Sequence, residues 1–144
     1  MTALSGVHRT HVHWVDTDAA GIHHNTSIAR WAEAAEADLM RGVGLTGYFP
    51  VAPRVRYEAD FTASLRPGDE VGATVTVERM GRTSLTLGFE VWGGPAGQPA
   101  VLAARGRYVT VHVDAAGGGP SPWPATWRSA LDPDGTATDA VDEP

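Results

Sequence analysis

The chain offers one amphipathic helix and several strands, and this ratio restricts its fold more than any other feature. After Asn25, apolar residues recur at i, i+3, i+4, i+7 and i+11, which predicts a helix from about Asn25 to Arg41. These residues are Ile28, Trp31, Ala32, Ala35 and Leu39. Asn25, Thr26 and Ser27 are candidate N-cap residues, and the glycines that follow Arg41 are stop signals.

Alternation of apolar and polar residues, typical of half-buried strands, fills most of the remaining chain. It covers residues 7–15 before the helix and four later runs that begin near Val55, Val71, Leu85 and Val101. Short turn-forming segments separate these runs, so we predict a meander of about four antiparallel strands. One face of the sheet is apolar and needs a cover, which the helix provides. The predicted class is α+β, a single domain in which about five antiparallel strands wrap around one long central helix.

Composition excludes several kinds of chemistry. The 144-residue chain has no cysteine, so thiol nucleophiles, disulfides and cysteine-ligated metal sites are ruled out. All 11 basic residues are arginine, which removes a P-loop lysine and any Schiff-base mechanism. The net charge is −6, but acids are concentrated after residue 131. The rest of the chain is therefore nearly neutral, and we expect no nucleic-acid partner.

The order of these segments predicts a simple domain organisation. We expect one domain over residues 1–116, a Gly/Pro linker with a short terminal helix over 117–131, and an acidic, disordered tail over 132–144. No apolar run approaches the roughly 18 residues that span a bilayer, and the first ten residues lack a signal-peptide pattern. We therefore expect a cytoplasmic protein with no membrane partner.

The most informative local sequence is Asp16-Thr17-Asp18-Ala19-Ala20-Gly21, which joins the first strand to the helix. Its two carboxylates precede a helix N-terminus, where free N–H groups and the positive end of the dipole favour developing negative charge. This combination suits acyl transfer, with an Asp as nucleophile or general base and helix N–H groups as the oxyanion hole. The same residues also form ordinary turns, and spacing alone does not separate the two interpretations.

The run from His11 to Leu45, with this motif at its core and the pair Arg30-Trp31, resembles the 4-hydroxybenzoyl-CoA thioesterase branch of the hotdog-fold family. Later segments resemble the strand pattern of the same family; they are residues 54–57, 67–70, 81–84 and 108–111. The resemblance covers roughly residues 7–114, and the order of elements agrees with it. It implies a hotdog domain that hydrolyses an acyl thioester without a metal or other cofactor.

Matching this family position by position makes Asp18 the catalytic carboxylate and the backbone N–H of Asn25 the oxyanion donor. Gly21 would let the backbone turn closely beneath the substrate, and His24 would orient water or contact the acyl group. Asp16 suits a structural capping role as well as substrate binding. The residues expected to bind substrate are Asp16, Thr26, Tyr57, Arg82 and Ser84.

Two further sites are alternatives to Asp18. Glu36 is a second candidate for the catalytic carboxylate, because other hotdog thioesterases carry one on the helix. A metal site could be assembled from the two motif carboxylates and four histidines, namely His11, His13, His23 and His24. Strand histidines are more often surface or interface residues than ligands, so we expect no metal.

The resemblance leaves the substrate open. We expect an acyl-CoA with an aromatic or a short-to-medium acyl group. The alternative is an acyl carrier protein from which a polyketide or fatty acyl chain is released during biosynthesis. A second alternative is a hotdog protein that binds an acyl thioester without hydrolysing it. Members of the family form dimers, and often tetramers, with active sites between subunits, so we expect a homodimer or homotetramer.

Overall fold

Five strands form one antiparallel sheet, and the long helix packs across part of its inner face. The computed structural model describes residues 4–114, 116 and 118–137. The elements in chain order are β1 (Ser5–His11), α1 (Asn25–Gly42), β2 (Arg54–Phe61), β3 (Glu70–Met80), β4 (Ser84–Gly94), β5 (Val101–Val111) and α2 (Ala125–Leu131). The predicted α+β class, with one helix against a five-stranded sheet, is confirmed. Neither described helix is long and apolar enough to cross a membrane.

The strands lie in the order β1-β3-β4-β5-β2. The expected meander holds for β3, β4 and β5, which pair in succession. It is wrong for β2, which pairs with β5 and places Tyr57 opposite Tyr108. The reason is that β1 occupies the other edge of β3, with Val7 opposite Thr74. Because both edges of β3 are taken, β2 joins the sheet beside β5 and becomes an edge strand.

The apolar stripe of α1 faces the sheet and forms the centre of the core. Its five predicted members are each at most 4% exposed; they are Ile28, Trp31, Ala32, Ala35 and Leu39. The helix contacts β1, β3 and β4. Its approach to β1 requires glycine at position 6, because a Cβ atom there would lie 2.8 Å from Leu39 Cβ and closer still to the Ala35 carbonyl oxygen.

The first strand ends earlier than alternation predicts. Beyond His11 the chain turns, and Trp14–Asp16 form a single 3₁₀ turn. The expected strand to residue 15 was wrong because Asp16 closes this turn: its Oδ2 accepts the His13 N–H at 2.8 Å. Hydrogen bonds from a short polar side chain to the local backbone compete with strand pairing. As a result Trp14 and Val15 are 83% and 80% exposed.

The chain after β5 stays at the end of the sheet where β5 finishes and β4 begins. Trp123 is buried, and its backbone N–H donates to the Arg82 carbonyl oxygen. The short terminal helix forms as α2. After it, the Met80 N–H donates to the Ala137 carbonyl oxygen, so this segment lies against the end of β3. Residues 138–144, where most of the expected disordered tail falls, lie outside the described residues, and the domain bounds stay a prediction.

Candidate active site

The turn between β1 and α1 is closed by hydrogen bonds on both of its sides. The Asp18 N–H donates to the Ile22 carbonyl oxygen at 2.9 Å, and the Gly21 N–H donates to the Asp18 carbonyl oxygen at 3.0 Å. Gly21 has φ of 80°, a conformation that glycine adopts without the steric cost of a side chain. This positive φ accounts for a glycine at position 21, and its expected place beneath the substrate stays a prediction. The turn carries the Asp18 side chain back toward the start of α1.

Asp18 keeps one carboxylate oxygen available. Its Oδ1 accepts the Ala20 N–H at 2.8 Å. Its Oδ2 has no hydrogen-bond partner among the described residues, and no cation within that part of the chain forms an ion pair with it. The side chain is half-buried rather than enclosed. A carboxylate held by one backbone donor, with the second oxygen open, is suited to attack a carbonyl carbon or to accept a proton from water.

The start of α1 exposes one backbone donor beside this carboxylate. His24 is the N-cap, so the prediction of a cap at residues 25–27 was wrong by one position: its Nδ1 accepts the Thr26 N–H at 3.1 Å. The Ser27 N–H donates to the His24 carbonyl oxygen at 2.8 Å. The Asn25 N–H, the first of the helix, donates to no other described residue. It is therefore the free donor at the positive end of the helix dipole.

These groups line one cleft of about 510 Å³. The turn supplies Asp18 and residues 22–25, and the end of β2 with the segment that follows it, residues 61–64, supplies the rest of the wall. The structure thus brings together three of the predicted site residues, Asp18, His24 and Asn25. Gly21 shapes the turn without lining the cleft. A carboxylate, a free backbone donor and an open volume in one place provide what acyl transfer requires.

Asp16 lies beneath the cleft and does not line it. Its Oδ1 accepts Arg30 Nη2 at 2.8 Å, and its Oδ2 is the acceptor of the His13 N–H. Burial acts to raise the pKa of Asp16, but the hydrogen bonds and positive charge of Arg30 outweigh it, and the net pKa is lowered. Its carbonyl oxygen also accepts the Ser27 hydroxyl and the His24 N–H. With both carboxylate oxygens occupied, the geometry favours a structural role that fastens the turn to α1.

The remaining predicted substrate contacts lie apart from this cleft. Thr26 is exposed at the helix start, with its hydroxyl 2.8 Å from His24 Nδ1. Tyr57 stacks on Phe89 at 5.8 Å on the inner face of the sheet. Arg82 and Ser84 precede and begin β4, where their carbonyl oxygens accept hydrogen bonds from Trp123. The structure does not bring these last three residues to the carboxylate of Asp18.

Glu36, the alternative carboxylate, is fully buried elsewhere in the core. Its Oε2 accepts the Tyr48 hydroxyl at 2.6 Å, and its Oε1 accepts Arg54 Nη2 at 3.2 Å. The Tyr48 hydroxyl is also 2.8 Å from Thr110 Oγ1. Burial raises the pKa of Glu36, and the hydrogen bond from Tyr48 and the charge of Arg54 oppose this only in part. Because Glu36 does not line the cleft, the geometry assigns it to a buried polar network.

Sequence reasoning missed two parts of the cleft. The sequence suggests His23 only as a candidate metal ligand, yet this residue forms part of the wall of the cleft. The segment at residues 61–64 carried no motif, and only strand pairing brings it beside the turn. No group of three or more metal-ligating side chains occurs among residues 4–114, 116 and 118–137. The signal that could have found His23 is its position between the motif and α1, two residues before the helix start.

Comparison with known proteins assigns the family. A model of the thioesterase superfamily matches residues 20–100, more than half of the chain. The protein therefore belongs to the thioesterase superfamily, and its class is that of a thioester hydrolase with the hotdog fold. The match includes Asn25 and α1 but begins after Asp18, so the function of that carboxylate rests on the geometry of the site. No curated protein sequence matches the chain.

Solved structures with the same fold include several thioesterases. A predicted thioesterase from Bacillus stearothermophilus is 27% identical, with a TM-score of 0.76 over 88% of this chain and 93% of that one. A 1,4-dihydroxy-2-naphthoyl-CoA thioesterase from Synechocystis is 20% identical, with a TM-score of 0.78 over 97% and 99%. The 4-hydroxybenzoyl-CoA thioesterase of a Pseudomonas species is also 20% identical, with a TM-score of 0.79 over 89% and 99%.

Proposed function

We propose that the protein hydrolyses an acyl-CoA thioester to a free acid and CoA, and that Asp18 and the Asn25 N–H carry the reaction. The observation that carries this proposal is their arrangement in one cleft: Asp18, which has an unpaired carboxylate oxygen, and Asn25, which has an unpaired backbone N–H at the start of α1, line the same volume. The thioester carbonyl would bind between them.

The chemistry follows from these two groups. Either Asp18 attacks the carbonyl carbon, or it removes a proton from a water molecule that attacks. In both routes the carbonyl oxygen becomes an oxyanion, and the Asn25 N–H stabilises it; one well-placed donor of this kind contributes about 3–4 kcal/mol to the transition state. The C–S bond then breaks and the CoA thiolate leaves. In the first route water hydrolyses the resulting anhydride, which restores the carboxylate.

An aryl acyl group is the substrate we favour. Two of the structurally similar enzymes act on aryl-CoA thioesters, as their names state. The cleft itself is lined by Phe61 and by the ring of His23, with the centroids of the two rings 6.5 Å apart. Planar side chains of this kind provide offset-stacking and edge contacts for an aromatic ring. Short and medium acyl chains, and acyl groups on a carrier protein, are the competing substrates.

We further propose that the protein is a homodimer or homotetramer joined through β2. This strand is one of the two edges of the described sheet, and Val55 and Phe61 on it are 60% and 51% exposed. Unpaired edges with exposed apolar side chains favour pairing with a second chain. Since the end of β2 and the segment after it, residues 61–64, line the cleft, a second copy at this edge would lie beside the active site. In that assembly Tyr57 and Arg82 could reach substrate from another subunit.

We also propose a cytoplasmic location for the protein.

Thiol release from a panel of aryl, short-chain and long-chain acyl-CoAs tests the proposal, with wild type and Asp18→Asn compared side by side. We expect wild type to prefer aryl-CoA and the variant to lose at least about 100-fold in kcat while acyl-CoA binding survives. Activity retained by Asp18→Asn would contradict the role of Asp18. A wild-type protein that cleaves no CoA ester but cleaves the same acyl groups on a carrier protein would support the alternative substrate. Binding without turnover on either carrier would support a non-hydrolytic function.

A further inference from the structure

His23 is held in the cleft wall by contacts that fix both the position and the tautomer of its ring. The Leu65 N–H donates to His23 Nδ1 at 3.1 Å, and the His23 N–H donates to the Leu65 carbonyl oxygen at 2.8 Å. The rings of Trp31 and Phe61 flank the imidazole, with centroids 6.4 Å and 6.5 Å away. The residue is only 6% exposed. Such a ring has little freedom to reorient.

The donor from Leu65 determines where the proton of the neutral ring lies. A backbone N–H only donates, so Nδ1 must be the acceptor and the neutral ring carries its hydrogen on Nε2. Burial lowers the pKa of His23, and the charge of Asp18 opposes this only in part, so the environment favours the neutral ring. The cleft therefore contains a fixed N–H donor in addition to the backbone donor at Asn25.

Nothing in the described part of the chain accepts a hydrogen bond from His23 Nε2. The ring lines the cleft and its other nitrogen is bound to the Leu65 backbone, so Nε2 is the nitrogen left for a ligand. Asp18 acts on His23 through its charge but makes no hydrogen bond to it. A donor that has no protein acceptor and belongs to a ring in the cleft wall is available to a ligand, and a carbonyl oxygen in the cleft would give it an acceptor.

We propose that His23 is a second oxyanion donor, whose Nε2–H donates to the thioester carbonyl oxygen together with the Asn25 N–H. This inference rests on the proposed thioester hydrolysis. No proton is transferred: the hydrogen bond strengthens as negative charge develops on the oxygen and weakens when the thiolate leaves. A donor held in place before the reaction contributes more to kcat than to substrate binding.

Two variants separate this role from a structural one. In His23→Asn the side-chain oxygen can replace Nδ1 as the acceptor for the Leu65 N–H, but no donor reaches the position of Nε2. In His23→Gln the amide can place an N–H near the position of Nε2, but the Leu65 N–H loses its acceptor. We expect His23→Asn to keep its Tm and to lose about 10²–10³-fold in kcat. His23→Gln should have the lower Tm and retain more kcat. A purely structural role predicts that His23→Asn is the better variant in both measurements.

The test uses the full chain, an aryl-CoA substrate and phenacyl-CoA, a thioether that retains an aryl carbonyl and is not hydrolysed. We expect Kd for phenacyl-CoA to change less than threefold in His23→Asn while kcat falls. Wild-type kcat in His23→Asn would overturn the inference, and so would an equal loss in both variants.

A spectroscopic measurement keeps the inference testable if wild type hydrolyses no tested thioester, an outcome that would contradict the proposed function alone. Long-range ¹H–¹⁵N spectra report which imidazole nitrogen carries the proton. We expect His23 to carry it on Nε2 at pH 7.5, and we expect phenacyl-CoA to shift the Nε2 resonance. A proton on Nδ1, or an Nε2 signal unchanged by saturating phenacyl-CoA, would overturn the proposal.

Discussion

Two carboxylates associated with the same helix have opposite surroundings. Asp18, in the turn before α1, is half-buried, accepts one backbone hydrogen bond and keeps an oxygen open to the cleft. Glu36, on α1 itself, is fully buried and bound by Tyr48 and Arg54. Asp18 can therefore react with a substrate, whereas both oxygens of Glu36 are already bound by other residues of the core. Location on the helix therefore says less about function than the number of partners each oxygen already has.

Removing the buried carboxylate should have the largest effect on stability. In Glu36→Ala we expect the free energy of unfolding to fall by about 3–5 kcal/mol, because Arg54 and the Tyr48 hydroxyl lose their shared partner inside the core. The matched control, Glu36→Gln, retains an acceptor and should lose less. Urea unfolding measures both variants. A value for Glu36→Ala within 1 kcal/mol of wild type would contradict the structural role of the network.

The next largest effect should be on catalysis at Asp18, when the Asn25 N–H is removed. Asn25→Pro deletes this N–H, and we expect kcat to fall by about 10²–10³-fold. Proline is well tolerated at the first position of a helix, and His24 already has ψ of 142°, as a residue before proline requires. Asn25→Ala keeps the N–H and should retain kcat within a few fold. Equal activity of the two folded variants would contradict the assignment.

Asp16 provides an intermediate case, a carboxylate of the same motif whose oxygens are both occupied. We expect Asp16→Ala to lower the free energy of unfolding by about 1–3 kcal/mol, since the His13 N–H loses its acceptor. The loss from Asp18→Ala should be smaller, because Asp18 accepts one hydrogen bond and is half-exposed. Chemical denaturation compares the two. A lower stability of Asp18→Ala than of Asp16→Ala would contradict the structural role of Asp16.

The smallest predicted effect is on the pH dependence of stability. Because burial lowers the pKa of His23 in the folded state, the unfolded chain binds this proton first as the pH falls below about 6.5. Protonation of His23 therefore costs no stability above that pH and costs stability below it. The cost is about 1.4 kcal/mol for each unit by which the pKa in the folded state lies below that in the unfolded state. Tm should fall more between pH 7.5 and pH 5.5 in wild type than in His23→Asn. Parallel curves would contradict a neutral buried ring.

The sequence predicted the elements whose signals are local. The stripe from Ile28 to Leu39 located α1, and the motif at residues 16–21 indicated where the carboxylate would lie. The neighbour of β2 could not be predicted, because the competition between β1 and β2 for the edge of β3 is decided by pairing across the sheet. The enclosure of Glu36 depends on Tyr48 and Arg54, which are distant in sequence. His23 was missed for the same reason: the Leu65 backbone that fixes its tautomer is 42 residues away.

The most direct test of the difference between the two carboxylates measures kcat for an aryl-CoA and the free energy of unfolding in Asp18→Asn and Glu36→Gln. Asp18→Asn should lose at least about 100-fold in kcat with a stability within about 1 kcal/mol of wild type. Glu36→Gln should be less stable than wild type, and its folded protein should keep kcat within a few fold. Loss of turnover in Glu36→Gln, with turnover retained in Asp18→Asn, would place the reaction at Glu36 and contradict the account.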